Sequence, residues 1–184
     1  MPILAAETSL YPSNLLSELA VQDEERKWWV FYTKARQEKA FARALEGYEI
    51  PFYLPLVKKD NIIRGRKVQS HVPLFGGYIF LFTTPEERVT SLTTNRVSNI
   101  LEVQDPEQLR IDLLNVTSLI DADAPLTVEK RIVPGNRVRI KKGSMEGLEG
   151  VVVTRKGKER LLVAVTMLQQ GVSVELEDCI VEPI

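Results

Sequence analysis

Between Val72 and Phe82 the chain reads V-P-L-F-G-G-Y-I-F-L-F, without a single charge. After Gly76-Gly77, the aromatic residues Tyr78, Phe80 and Phe82 alternate with Ile79 and Leu81, which is the two-residue period of a β-strand. A strand apolar on both faces belongs inside a sheet with cover on each side. Ile79 and Leu81 suit the floor beneath helices. The aromatic face has two readings: ordinary core, or a docking surface of the kind aromatic anchors make. The flanking chain has to separate them.

Residues 1–27 hold five acids against Arg26 and Lys27 and only a short apolar pattern, Leu15, Leu16 and Leu19, so an acidic, mobile extension is expected. Trp28 opens a first domain with the β-rich W-W-V-F-Y-T. Ala35 to Glu46 predicts a helix closed by Gly47, and Pro51 to Val57 a short strand. Lys58 to His71 predicts a protruding hairpin carrying Lys58, Lys59, Arg64, Arg66 and Lys67 against Asp60 alone. Such a tip is either a solvated edge or a contact for nucleic-acid backbone. Thr84 and Asp105, each followed by proline, predict the starts of two further helices around a strand in Val97 to Val103. The second of these helices, with Leu109, Leu113, Val116 and Ile120 in a stripe, is expected to cover the aliphatic face of the sheet. The fold class is therefore α+β: an N-terminal antiparallel sheet with flanking helices over 28–123, then a linker at 124–133.

From Pro134 to the C-terminus, turn signals alternate with valine-rich runs at Asn136–Lys142, Val151–Val153, Arg160–Thr166, Val172–Leu176 and Cys179–Val181. Five strands in so short a segment predict a small five-stranded β-barrel that stays β.

No catalytic machinery is legible. One cysteine and one histidine, Cys179 and His71, fall in different predicted domains, which excludes a disulfide and leaves neither a Cys-His dyad nor a metal cluster; no cofactor is expected. Gly143, Gly147 and Gly150 lack the Gly-Lys-Ser/Thr ending of a phosphate loop and lead into a strand. A net charge of -1 argues against bulk electrostatic binding of nucleic acid. No segment has the length of a membrane span, so a monomeric cytoplasmic protein is expected.

Two motifs carry a resemblance. Pro134 to Val152, P-G-x-x-V-x-I-x-x-G-x-M-x-G-x-x-G-x-V, resembles the KOW motif of transcription factors and ribosomal proteins. Upstream, W-W-V-F-Y-T-x-x-x-x-E-K at Trp28 to Lys39 and P-L-F-x-x-Y-I-F at Pro73 to Phe80 resemble the N-terminal domain of NusG-type transcription elongation and antitermination factors. The hairpin sequence I-I-R-G-R-K is more similar to the operon-specialised RfaH-like paralogues, although Gly76 stands where the family commonly has proline.

The resemblance implies that the N-terminal domain binds RNA polymerase, at the clamp coiled coil of the largest subunit, through Tyr32, Phe75, Tyr78 and Phe80, and so suppresses pausing or termination. It also implies contact with the non-template DNA strand through Lys34, Arg36, Thr94, Asn95 and Arg96. The KOW domain would recruit ribosomal protein S-ten or Rho through Met167 and Leu168. KOW sequences also occur in translation, and Arg137, Arg139, Lys141, Lys142 and Arg155 keep open a protein that binds ribosomal RNA.

Overall fold

The computed structural model describes residues 7–17, 23–131, 135–177 and 179–184. The remainder of the expected extension, the linker's end at 132–133 and Pro134, the first residue of the expected barrel domain, lie outside the described residues. The fold is mixed α+β with antiparallel sheets, in two compact units that divide between Gln104 and Asp105.

The first unit is built on a five-stranded antiparallel sheet. Its strands are β1 (Leu10–Tyr11), β2 (Lys27–Thr33), β3 (Phe52–Tyr53), β6 (Tyr78–Thr83) and β7 (Val97–Glu102), in the spatial order β1-β3-β6-β2-β7. The charge-free strand β6 is central, as its two apolar faces require. Register places Phe31 opposite Ile79 and Trp29 opposite Leu81, so these residues share one face. Helix α1 (Glu38–Gly47) closes that face with Phe41, Ala42 and Leu45. Full burial of Phe41 and of Leu45 contributes about 1.5–3 kcal/mol each.

Three expectations need correction here. Gly47 does not end α1; it is helical, and the chain turns at Glu49, whose φ is 56°. The aliphatic face is taken by α1, which leaves the helix from Pro106 for the second unit. The N-terminal extension is not a mobile tail throughout: Leu10 and Tyr11 pair with Tyr53 and Phe52, Ser9 donates its hydroxyl to the Leu54 carbonyl at 2.7 Å, and Leu15 and Leu16 are buried. A sheet edge was available, and the two-residue strand pairs with it.

Between β3 and β6, strands β4 (Leu56–Ile63) and β5 (Arg66–Pro73) form a two-stranded sheet of their own, the predicted hairpin. Helix α2 (Pro85–Thr93) starts with a complete capping box, in which Thr84 accepts the Glu87 N–H and Glu87 accepts the Thr84 N–H.

The second unit contains α3 (Pro106–Asp121) and a six-stranded antiparallel sheet. The five predicted strands appear as β9 (Asn136–Lys142), β10 (Glu149–Arg155), β11 (Lys158–Val165), β12 (Gln170–Glu175) and β13 (Ile180–Pro183). The sixth, β8 (Thr127–Glu129), comes from the expected linker and pairs with β12. Gly143 and Gly147 do take positive φ in turns, whereas Gly150 is needed for space, since a Cβ there would stand 2.6 Å from the Leu162 carbonyl oxygen.

Helix α3 packs on β11 and on a 3-10 turn at Thr166–Leu168. Its Asp112 carboxylate accepts the Thr166 N–H at 2.8 Å and the Gln108 amide at 2.7 Å. Burial pushes the Asp112 carboxyl above the ordinary carboxylate value, against the lowering effect of those hydrogen bonds. A raised pKa in an acid means that the folded state holds a proton the unfolded state has released. Its stabilising effect is complete below the unfolded value and disappears as pH rises through the folded one. Asp112→Asn keeps an oxygen for Thr166 and, with the Gln108 amide turned over, a donor for Gln108. Urea unfolding at mildly acidic and neutral pH is expected to show the Asn variant gaining on wild type as pH rises. A difference that does not change with pH would remove the assignment.

Candidate functional site

The ends of β2 and β6 bring Tyr32 opposite Tyr78, with ring centroids 5.0 Å apart. Phe75, Gly76, Gly77 and Tyr78 make the turn into β6, in which Tyr78 donates its N–H to the Phe75 carbonyl at 3.1 Å and Gly77 has φ 86°. Positive φ at the third position is what a type II turn demands, so the turn forms with glycine, and without proline, at Gly76. Gly77 also carries the Tyr32 ring: a Cβ there would stand 2.5 Å from a ring carbon. Its amide donates to Glu38 Oε1 at 2.7 Å, and its carbonyl accepts the Thr33 N–H at 2.8 Å. Tyr32 is thus seated on a turn fixed from α1 and β2 together.

The four aromatic residues assigned to one patch do not share one environment. Tyr32 is 42 % exposed and Tyr78 half-buried, but Phe75 is 1 % exposed and Phe80 has no exposed surface. Phe80 lies between Val30 and Tyr53 in register, and both of these neighbours are buried as well. The aromatic face is core along most of its length and opens only at the Tyr32–Tyr78 end.

Of the five polar residues, Lys34, Asn95 and Arg96 are joined directly. The Lys34 N–H donates to the Arg96 carbonyl at 2.8 Å, which joins the loop after β2 to the loop after α2, and Lys34 Nζ donates to Asn95 Oδ1 at 2.8 Å. This partner is a neutral amide, so it leaves the lysine charge uncompensated. Arg36 is exposed and takes φ 61°, and Asn95 takes φ 55°; the Arg96 guanidinium is held by Gln37. Thr94 is the least available of the set, because its hydroxyl caps α2 by donating to the Ser91 carbonyl at 2.8 Å. Only Thr33 separates Tyr32 from Lys34, so the open aromatic edge runs directly into the basic loop. Sequence reasoning missed Gln37 and Glu38, the side chains that brace this corner; their place at the start of α1 was the available signal.

In the second unit Met167 is half-buried and Leu168 only 9 % exposed. The expected apolar tip is instead a 3-10 turn that points Leu168 inward, with Gln169 in the left-handed region to return the chain to β12. Four of the five basic residues that kept an RNA-binding reading open face carboxylates: Arg137 and Arg139 pair with Glu149, Lys141 with Glu182, and Arg155 with Glu129. Interleaved carboxylates break up the positive field that backbone binding needs. Among the described residues, no helix is long and apolar enough to cross a membrane.

A family model described as transcription termination factor nusG matches residues 26–120.

Proposed function

Since that match covers more than half of the chain, the protein belongs to the NusG family of transcription factors, and on this premise we propose that it docks on RNA polymerase through the open edge formed by Tyr32 and Tyr78. The polymerase element is the clamp coiled coil of the largest subunit, whose helices suit an aromatic edge. Lys34, Arg36, Asn95 and Arg96, joined beside that edge, then meet the displaced non-template strand, where cations and side-chain amides serve better than large net charge. The second unit is a KOW domain that recruits ribosomal protein S-ten or Rho, with Met167 as the accessible side chain. The factor acts by tethering, without an active site or cofactor, and the R-G-R hairpin turn supports a place among the operon-specialised, RfaH-like members.

One observation carries the reading: the exposed aromatic edge and the linked basic loops are continuous in the chain and in space. Pull-down on purified core RNA polymerase tests it. Tyr32→Ala with Tyr78→Ala is expected to lose at least about tenfold in affinity, or ~1.4 kcal/mol, while keeping the wild-type circular dichroism spectrum. A folded double variant that binds as wild type removes the proposal. The accumulated ion pairs of the second unit stand against the ribosomal-RNA alternative.

A further inference from the structure

Helix α3 leaves part of the sheet beside it uncovered. Register sets Arg137 opposite Val151 and Val151 opposite Leu162, so the three form a row across β9, β10 and β11 on one face. Helix α3 packs on β11, at the Leu162 end of that row. Its Gln108, Asp112 and Asn115, spaced i, i+4 and i+7, stand along one side of the helix. Between that side and the row lies a cleft of about 280 Å³ with Ile111 in its wall, and both walls belong to the second unit.

Hydrogen-bonding capacity along the cleft is only partly used. Both Asp112 oxygens are taken, by the Thr166 N–H and by Gln108 Nε2, which fixes the Gln108 amide and leaves its Oε1 as an unused acceptor. The half-buried Asn115 amide has no hydrogen-bond partner among the described residues. Glu149 is held by Arg139 at 2.5 Å and meets Arg137 only at 3.9 Å, so the exposed Arg137 fork is open to a second anion. Ile111, 41 % exposed, and the half-buried Val151 supply apolar walls.

We propose that this cleft binds an adenine mononucleotide, with the base edge on Asn115 and Gln108, the base faces against Ile111 and Val151, and the phosphate on Arg137. Apolar walls with a few convergent polar groups are the composition of a small-ligand site. A carboxamide meets the N6 and N7 edge of adenine with one acceptor and one donor, and a planar guanidinium fork matches a phosphate. The fixed Gln108 acceptor selects an amino group at position 6 of the base. Hypoxanthine and guanine carry an oxygen there, which sets acceptor against acceptor. The cleft has room for one nucleotide and not for two, and one open cation is too few for a nucleic-acid strand. Because α3 and the sheet each supply a wall, the bound nucleotide ties the helix to the sheet and stabilises the second unit. None of these residues belongs to the polymerase-docking edge, so the test is independent of the proposed function.

The full chain is titrated by isothermal calorimetry with AMP, IMP, adenosine and inorganic phosphate, at a pH where Asp112 is ionised, and its thermal midpoint is followed with each. AMP is expected to bind at least about tenfold more tightly than IMP and to raise the midpoint of the second unit. Arg137→Gln is expected to weaken AMP at least about fivefold and to leave adenosine unchanged, whereas Asn115→Ala weakens AMP and adenosine alike by about tenfold. Arg137 is exposed and Asn115 half-buried, so both variants keep the fold, which circular dichroism confirms. Equal affinity for AMP and IMP overturns the proposal, as does the absence of both heat and midpoint shift with AMP at about 5 mM. Phosphate bound as tightly as AMP also overturns it, because the cleft would then hold an anion without reading a base.

Discussion

Arg160→Ala is expected to cost the second unit about 3 kcal/mol and to release β8 from its sheet. Arg160 is 8 % exposed, and its guanidinium donates to Ser173 Oγ at 2.9 Å, to the Ser173 carbonyl at 2.9 Å, to Thr127 Oγ1 at 3.0 Å and to Glu175 Oε1 at 3.1 Å. The Ser173 hydroxyl in turn donates to Glu129 Oε1 at 2.8 Å, so one side chain ties β8, β11 and β12 together. Truncation leaves buried acceptors without donors, which is the costly direction of change. Strand β8 pairs with β12 over only three residues and has no apolar stripe to hold it. Urea unfolding of the full chain measures the loss. Arg160→Lys is expected to recover less than half of it, because one ammonium group cannot reproduce a planar fork. A loss under about 1 kcal/mol in Arg160→Ala would show that the network contributes little and that β8 is held by its backbone bonds.

The same network explains what could be read from the sequence and what could not. Strong local codes came through: the alternation of β6, the Thr84 and Asp105 caps, the hairpin within Lys58 to His71, and five valine-rich strands. Strand β8 did not, because Thr127–Glu129 has no period of its own and is ordered by an arginine more than thirty residues away. Helix α3 was predicted with its start and stripe intact but assigned to the wrong neighbour. Its stripe says that a face is buried without saying beneath what, and the deciding contact is the backbone N–H of Thr166 on Asp112. The family match runs through residue 120 and so includes α3, whereas compactness groups α3 with the second unit. The candidate site divides along the same line. Lys34, Asn95 and Arg96 were brought together as expected, because short loops follow the ends of well-coded elements. Phe75, Phe80 and Leu168 were placed on a surface and are buried, since strand period fixes which face a side chain takes and leaves its cover unstated.

Burial also decides how the polymerase contact has to be tested. Phe80→Ala is expected to destabilise the first unit by about 3–5 kcal/mol, the usual cost of a cavity left by a fully buried phenylalanine. Tyr78→Ala, at a half-buried position with its ring tilted against that of Tyr32, is expected to cost about 1 kcal/mol. Loss of polymerase binding in Phe80→Ala would therefore report unfolding as readily as a lost contact. Phe80→Leu separates the two, because it keeps an apolar side chain in the core and leaves a smaller void. A folded Phe80→Leu variant is expected to bind polymerase as wild type does, with the edge residues Tyr32 and Tyr78 intact. If it folds normally by thermal melting and binding is still lost, Phe80 reaches the partner directly, and the aromatic face must open along its whole length when the complex forms.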